Sequence, residues 1–295
     1  MSYVCPFCST ASAGDATSCP GCGAPVDITR KPSASGWIEL PRAADMARIQ
    51  CGRSSLQIEG TLVPVADFSL AEGDSVYFAH HELLWKESRV HLERMGLRGA
   101  WKRMLAGLPV HMLTATGPGR IAFSRDAPGE LLAIPLQHGA AVEVREHVFM
   151  LATSSVTYDY FSPPVWYRTR EGDETETHFP LGYLMDRFTA TGGPGMLMVH
   201  AHGNAFVRNL APGESVLIKA AALLYKDVSV GMNLHFEYAQ RKGFVSWLTS
   251  AWNLQRYLWL RLTGPGRVAM QSAYGHHHDP ERAVIDSTPA TERYW

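Results

Sequence analysis

The strongest constraint on this chain is a seven-residue frame that it states three times. Leu70-Ala71-Glu72-Gly73-Asp74-Ser75-Val76, Leu136-Gln137-His138-Gly139-Ala140-Ala141-Val142 and Leu210-Ala211-Pro212-Gly213-Glu214-Ser215-Val216 share Leu-x-x-Gly-x-x-Val. The period is roughly seventy residues, a scale at which self-similarity decides the architecture. Seventeen residues beyond each glycine stands a valine, Val90, Val156 and Val230. Between glycine and valine lie the apolar runs Leu83-Leu84-Trp85-Lys86, Phe149-Met150-Leu151-Ala152 and Leu223-Leu224-Tyr225-Lys226.

A second signature closes each unit. Thr116-Gly117-Pro118-Gly119-Arg120 and Thr263-Gly264-Pro265-Gly266-Arg267 are identical, and Gly193-Pro194-Gly195 after Thr189-Ala190-Thr191 is a third version with Met196 in place of the arginine. Proline fixes φ while the flanking glycines free it, so each tripeptide reads as a tight turn, and the apolar stretch behind it as a strand. Short alternating runs cut by Gly and Pro, such as 55–60 and 206–210, give strand signals at sandwich or barrel spacing. The expectation is a mainly β domain over residues 46–275, three β units about a pseudo-threefold axis. The strand at Val268–Ser272 is expected to pair back near Ile49 and so protect the sheet edges.

Ahead of that domain, Cys5-Pro6-Phe7-Cys8 and Cys19-Pro20-Gly21-Cys22 are two C-x₂-C pairs with a ten-residue spacer. Two residues between thiols let each pair form a knuckle, and two knuckles converge on one tetrahedral ion with no position left for a catalytic water. Four of the five cysteines sit here, while Cys51 stands alone and reads as a core or strand residue. Clustering of this kind in a chain without an apparent export signal argues for metal over disulfides. The expected cofactor is structural Zn²⁺ held by Cys5, Cys8, Cys19 and Cys22, in a small zinc ribbon over residues 1–25. The alternative, a redox Cys-x-x-Cys, does not explain two proline-containing copies so close together, and the short spacer leaves a rubredoxin-like iron site open. Residues 26–45, with Pro32, Ser33, Ser35, Gly36 and Pro41, read as a linker that tethers a mobile ribbon, and residues 276–295, opening on His276-His277-His278, as a polar tail.

Two stretches upstream of the turns have helical periodicity. Leu97, Trp101, Met104, Leu105 and Leu108 share one face, flanked by Arg98, Lys102 and Arg103; Phe244, Trp247, Leu248, Ala251 and Trp252 share another, beside Arg241 and Lys242. Such short helical insertions either pack on the β core or face a membrane interface or partner groove. A formal net charge of −1 gives no global reason to expect nucleic acid. No apolar run is long enough to span a bilayer, and Met1-Ser2-Tyr3-Val4-Cys5 lacks a signal-peptide core, so the expected place is the cytoplasm, with peripheral membrane contact open.

Nothing in the chain carries a hydrolase elbow, a phosphate loop or a dinucleotide fingerprint. Glu171, Asp173, Glu174 and Glu176 read as a solvated loop. His200 and His202 share a strand face at a spacing that could ligate metal, but no third ligand is identifiable and packing is the simpler reading. Arg120 and Arg267 beside their turns could meet a phosphate, against the reading of plain structural turns.

The strings His202-Gly203, Leu210-Ala211-Pro212-Gly213-Glu214 and Leu262 through Ser272, with the earlier Thr116 to Arg120 copy, resemble the altered-inheritance-of-mitochondria protein twenty-four family from about Met46 to Tyr274. That resemblance implies a fold similar to the tryptophan RNA-binding attenuation protein, and, for mitochondrial members, a part in inner-membrane organisation. It carries over no catalytic residue, and the tryptophan-rich insertions and the ribbon depart from the family pattern. The expected function is a non-enzymatic scaffold or adaptor with a protein partner or membrane surface, homo-oligomer formation remaining open; an RNA- or small-ligand-binding module is the alternative.

Overall fold

Glycine at the centre of each frame sets the backbone the rest is built on. Gly73, Gly139 and Gly213 take φ of 77°, 82° and 79°, a left-handed conformation that a side chain disfavours. The leucines three residues before them and the valines seventeen beyond are all buried. The computed structural model describes residues 2–5, 7–13, 18–24, 35–40, 48–96, 112–171, 173–238, 256–274, 283–287 and 292–293.

In chain order the first strands are β1 (Ser2–Val4), β2 (Ala11–Ala13), β3 (Ile38–Glu39), β4 (Ile49–Cys51) and β5 (Ser54–Glu59). In β5 the buried Ser54, Leu56 and Ile58 alternate with more exposed neighbours, the period of two that makes a half-buried strand. The first unit continues with β6 (Val65–Leu70), β7 (Ser75–Ala79), β8 (Leu83–Lys86), β9 (His91–Met95), β10 (Met112–Thr116) and β11 (Gly119–Ser124). The second holds β12 (Glu130–Leu136), β13 (Ala141–Arg145), β14 (Phe149–Thr153) and β15 (Val156–Phe161), then β16 (Tyr167–Glu171) and β17 (Glu174–His178), then β18 (Met185–Ala190) and β19 (Gly195–Ala201). The third holds β20 (Ala205–Leu210), β21 (Ser215–Ile218), β22 (Leu223–Asp227), β23 (Gly231–Tyr238), β24 (Arg256–Thr263) and β25 (Gly266–Gln271), followed by β26 (Ala283–Ser287) and β27 (Glu292–Arg293).

The same pairings recur in each unit. The strand before the frame glycine pairs with the last strand, which also pairs with the third: β6-β11-β8, β12-β19-β14 and β20-β25-β22. The strand after that glycine pairs with the fifth, and the fifth with the fourth: β7-β10-β9, β13-β18-β15 and β21-β24-β23. Both turns of a unit therefore carry the chain from one sheet to the other, and they lie against each other. The Gly117 N–H donates to the Asp74 carbonyl at 3.0 Å, and the Gly264 N–H to the Glu214 carbonyl at 2.9 Å. Behind each turn, one side chain caps the first free N–H of the last strand. Glu87 accepts from Arg120 N at 3.1 Å, Thr153 from Met196 N at 3.0 Å and Asp227 from Arg267 N at 2.8 Å.

Units join by sharing sheets: β7 pairs with β14 and β13 with β22, so each joint sheet takes three strands from one unit and three from the next. Apolar side chains fill three core clusters, one centred on the first unit, one on the third and one between, the last including residues of all three units.

Several expectations are corrected. β25 does not turn back to Ile49, because β20 and β22 occupy its two edges and β5 pairs with β4. Within the expected linker, β3 pairs with β20 and Leu40 N–H donates to the Ala205 carbonyl at 2.8 Å, so residues 35–40 belong to the β domain. Asp173, Glu174 and Glu176 are exposed near the end of a hairpin of β16 and β17 rather than in a loop, and in the expected tail β26 adds a third strand beside β16. His276, His277 and His278 lie outside the described residues.

Candidate metal centre

β1 and β2 form a short antiparallel hairpin, Ser2 opposite Ala13, whose connection carries the first knuckle. There the Cys5 carbonyl accepts from Ser9 N at 2.9 Å, and Cys5 N donates to the Thr10 carbonyl at 3.0 Å. The second knuckle repeats the scheme: the Cys19 carbonyl accepts from Gly23 N at 2.8 Å, and Cys19 N donates to the Ala24 carbonyl at 2.7 Å. Ser9 and Gly23 hold equivalent places with φ of 59° and 73°. Equal backbone at equal spacing aims both cysteine pairs at one point.

All four thiols are buried and their sulfurs lie within 4.8 Å of one another. Cys5 and Cys22 Sγ are 3.7 Å apart, and Cys8 and Cys19 Sγ 3.4 Å. A tetrahedral ion with metal–sulfur bonds of about 2.3 Å sets its sulfurs about 3.8 Å apart, so the set fits such an ion. Protons alone serve the cluster poorly. Cys8 is pulled down to about 2 by hydrogen bonds from Cys22 and Cys5. Cys22 is pushed up by its hydrogen bonds with Cys5 and Cys8, and further by burial. A cation at the centre would let all four ionise together. Among the described residues these cysteines are the one group of three or more His, Cys, Asp or Glu side chains whose donor atoms converge.

The ribbon is seated on the β core and shares its apolar cluster. Cys5, Phe7, Cys8, Cys19, Cys22 and Ala24 join the cluster that holds Leu132, Ile134 and Tyr225. Phe7, Cys8 and Cys22 face Leu132, Ile134, Tyr225 and Arg267 across a space of only about 30 Å³. Arg267 is the arginine of the third turn, fixed by Asp227, which accepts from Nε at 3.2 Å and from Nη2 at 3.1 Å. Burial works against its charge, but the hydrogen bonds to Asp227, ahead of smaller contributions from Tyr225, the Asp227 charge and Cys8, outweigh it, and its pKa is raised. Four thiolates around a divalent ion carry a net charge of about −2, toward which this fixed guanidinium presents one positive charge. Burial pushes the neighbouring Tyr225 hydroxyl up to about 12, keeping it neutral.

The other expected residues fall elsewhere. His200 is buried, its Nε2 3.2 Å from the Ala127 carbonyl and its ring 5.1 Å from that of His202. Burial first, then the charges of His202 and Arg125, bring His200 down to about 4. His200 lies against Gly129, and neither histidine joins a group of three or more converging donors among the described residues. Cys51 is half-buried in β4 with its Sγ 3.4 Å from Met196 Sδ, and burial pushes it up to about 12. Leu97, Trp101, Leu105, Phe244, Trp247 and Trp252 lie outside the described residues. What is described are their anchors: Met95 opposite Met112, and Tyr238 opposite Arg256. Both segments thus join the fourth and fifth strands of their units, the position that β16 and β17 fill in the second.

Sequence reading missed the seat of the ribbon. Phe7, an apolar residue between two cysteines, was the available signal, since a metal knuckle has no need of one. It also missed a cavity of about 540 Å³ between the ribbon tip at Thr10, Pro20 and Gly21 and the first two units.

Comparison with known proteins agrees with the architecture. A crystal structure of a Streptococcus pyogenes protein superposes with a TM-score of 0.51 at 17% identity, covering 75% of this chain and 94% of that one. At that identity the likeness concerns the fold alone. No match was found among the curated proteins. A family model described as mitochondrial biogenesis AIM24 matches residues 56–273, from β5 to just beyond β25 and so through all three sets of recurring pairings. The chain therefore belongs to the AIM24 family.

Proposed function

We propose that the protein is a non-enzymatic scaffold, built on a zinc-stapled β core, that works at a membrane or protein surface through residues 97–111 and 239–255. The observation that carries this is the equivalence of their anchors. Both segments leave and re-enter the fold between the fourth and fifth strands of a unit, from strands paired to their ends. Each carries tryptophan, leucine and basic residues, the composition of an interfacial segment. The thiol donor set, closed by four sulfurs, favours a zinc that folds the ribbon over one that does chemistry. No helix among the described residues is long and apolar enough to cross a membrane.

Co-sedimentation with anionic phospholipid vesicles tests the membrane arm. Wild type is expected in the pellet, and the Trp101→Glu/Trp247→Glu variant reduced about tenfold, since a buried charge offsets most of the gain from two indoles. Equal, negligible pelleting of both would remove the membrane from the proposal.

The cavity beside the ribbon favours a second reading, binding of a small ligand. Its volume of about 540 Å³ is in the range of about 300–1,000 Å³ typical of ligand sites. Its walls combine Phe68, Leu70 and Met196 with the hydroxyls of Ser54, Thr153 and Ser155. An environment-sensitive apolar dye, anilinonaphthalene sulfonate, should brighten with wild type and do so several-fold less with Gln50→Trp at the exposed rim. A wild type that leaves the dye dark would set this reading aside.

A further inference from the structure

The two joints between units are made alike, to the residue. In the first, Val76, Tyr77 and Phe78 of β7 face Thr153, Ala152 and Leu151 of β14. In the second, Val142, Glu143 and Val144 of β13 face Asp227, Lys226 and Tyr225 of β22. Counted from the frame glycine, the registers are identical. The second joint adds an ion pair, Glu143 Oε2 to Lys226 Nζ at 2.5 Å, in which both side chains are almost wholly buried.

A third joint of this kind has both halves present and unjoined. Its parts are β21, the strand after Gly213, and β8, the third strand of the first unit. Among the described residues β21 pairs only with β24 and β8 only with β11, and each ends its sheet. Burial marks the difference. Trp85 is 42% exposed, where its equivalents Leu151 and Tyr225 are 0% and 2%. Leu217 is 37% exposed, where Tyr77 and Glu143 are 4% and 3%. Leu84 beside Trp85 is 55% exposed. Neither strand has a proline, and Lys86 is the one charged residue in the pair, so little guards these edges against another strand.

Half of the joint is already in its working arrangement. Lys86 Nζ donates to the Glu87 and Val90 carbonyls at 3.3 and 3.0 Å, as Lys226 Nζ does to Asp227 and Val230 at 3.4 and 2.7 Å. The two edges also pack on separate parts of the core. β8 packs on the cluster of Phe68, Phe123 and Met150, β21 on that of Leu210, Leu234 and Leu260, and no residue is common to the two.

We propose that β21 of one copy of this chain pairs with β8 of a second copy, making between molecules the joint that each chain makes twice within itself. The register carries over: Val216 faces Glu87, Leu217 faces Lys86 and Ile218 faces Trp85. Main-chain hydrogen bonds across the added strand supply affinity, and covering Leu84, Trp85 and Leu217 supplies the apolar term. The contact is head-to-tail, so each copy offers one edge of each kind, and copies close into a ring or extend as a filament according to the angle between them. It stands apart from the membrane reading and survives its failure.

Sedimentation velocity of four samples tests it: wild type, Trp85→Asp, Leu217→Asp and an equimolar mixture of the two variants. Both substitutions fall on exposed side chains, and thermal melts close to wild type would show the fold intact. The expected result is an assembly for wild type, a monomer for each variant alone, and a one-to-one dimer for the mixture, where one intact edge of each kind remains. Monomeric wild type overturns the proposal; amide exchange then tells whether β8 and β21 are protected by closure within one chain or left open. Assembly that persists in either variant alone also overturns it, by placing the contact elsewhere, as does a mixture that stays monomeric.

Discussion

Cys22→Ser is expected to abolish the proposed zinc binding and to unfold the cysteine ribbon, while the β core stays folded. The segment has two three-residue strands and little apolar surface of its own, so the ion must provide most of its folding free energy, about 10–16 kcal/mol for a structural zinc. A serine hydroxyl in place of one thiolate leaves three ligands and an open position. The ribbon then leaves its seat, and Leu132, Ile134 and Tyr225 lose part of their cover. Losing that burial costs the core about 2 kcal/mol, a fall in Tm of about 5 °C. Elemental analysis should drop from about one zinc per chain to none, and limited proteolysis should clip the N-terminal segment. Arg267→Gln is the graded companion. It keeps all four thiols but removes the positive charge that Asp227 holds beside them, so zinc should stay bound and yield faster to a chelator. Metal retained by Cys22→Ser, or a metal-free ribbon as protease-resistant as wild type, would contradict the account.

Gly264→Ala should destabilise the core severely for a single added methyl. A Cβ there would stand 2.4 Å from the Ala211 carbonyl oxygen, 2.7 Å from Leu210 Cβ and 2.8 Å from the Leu210 carbonyl oxygen. These are main-chain atoms and a β-carbon of the frame turn, with no flexible end to swing aside. Gly117 meets Ala71 and Leu70 in the same way, its nearest contact also 2.4 Å. Relief requires the two turns of the unit to separate, which breaks the hydrogen bond from Gly264 to Glu214. The expected loss is about 3 kcal/mol for either glycine, or roughly 8 °C in Tm. Gly213→Ala supplies the contrast. It has φ of +79° but nothing within 4 Å of the added carbon, so only conformational strain of about 1 kcal/mol applies. Urea unfolding of the three variants decides the matter. Should Gly264→Ala lose no more than Gly213→Ala, the close approach of the turns is not what holds this corner.

What could be read from the sequence was local. Gly73, Gly139 and Gly213 announce their turns because left-handed backbone needs glycine, and the cysteine pairs announce a convergent four-thiol cluster because two knuckles of that spacing face one point. Partner choice between distant strands left no such trace. β25 was expected to reach toward Ile49, yet its neighbours are β20 and β22, and alternation alone cannot say which edges meet. Glu143 and Lys226 each stand near a frame, but their ion pair exists only because units share sheets. The stretch Glu174-Thr175-Glu176-Thr177-His178 does alternate with period two, a strand signal masked by its charge. Phe7 is apolar where a free ribbon would gain nothing from it, and the seat on Leu132 and Tyr225 explains it.

The joint sheets have one more consequence, for how the molecule comes apart. In a helical solenoid each repeat keeps its backbone hydrogen bonds within itself and can peel away from the end, one unit at a time. Here a cut after Ala201 would take β22 from beside β13 and strip three of the seven strands from a sheet that also holds three strands of the second unit. The boundaries visible in the sequence are therefore not the boundaries of cooperative folding, and residues 48–274 should melt in a single transition.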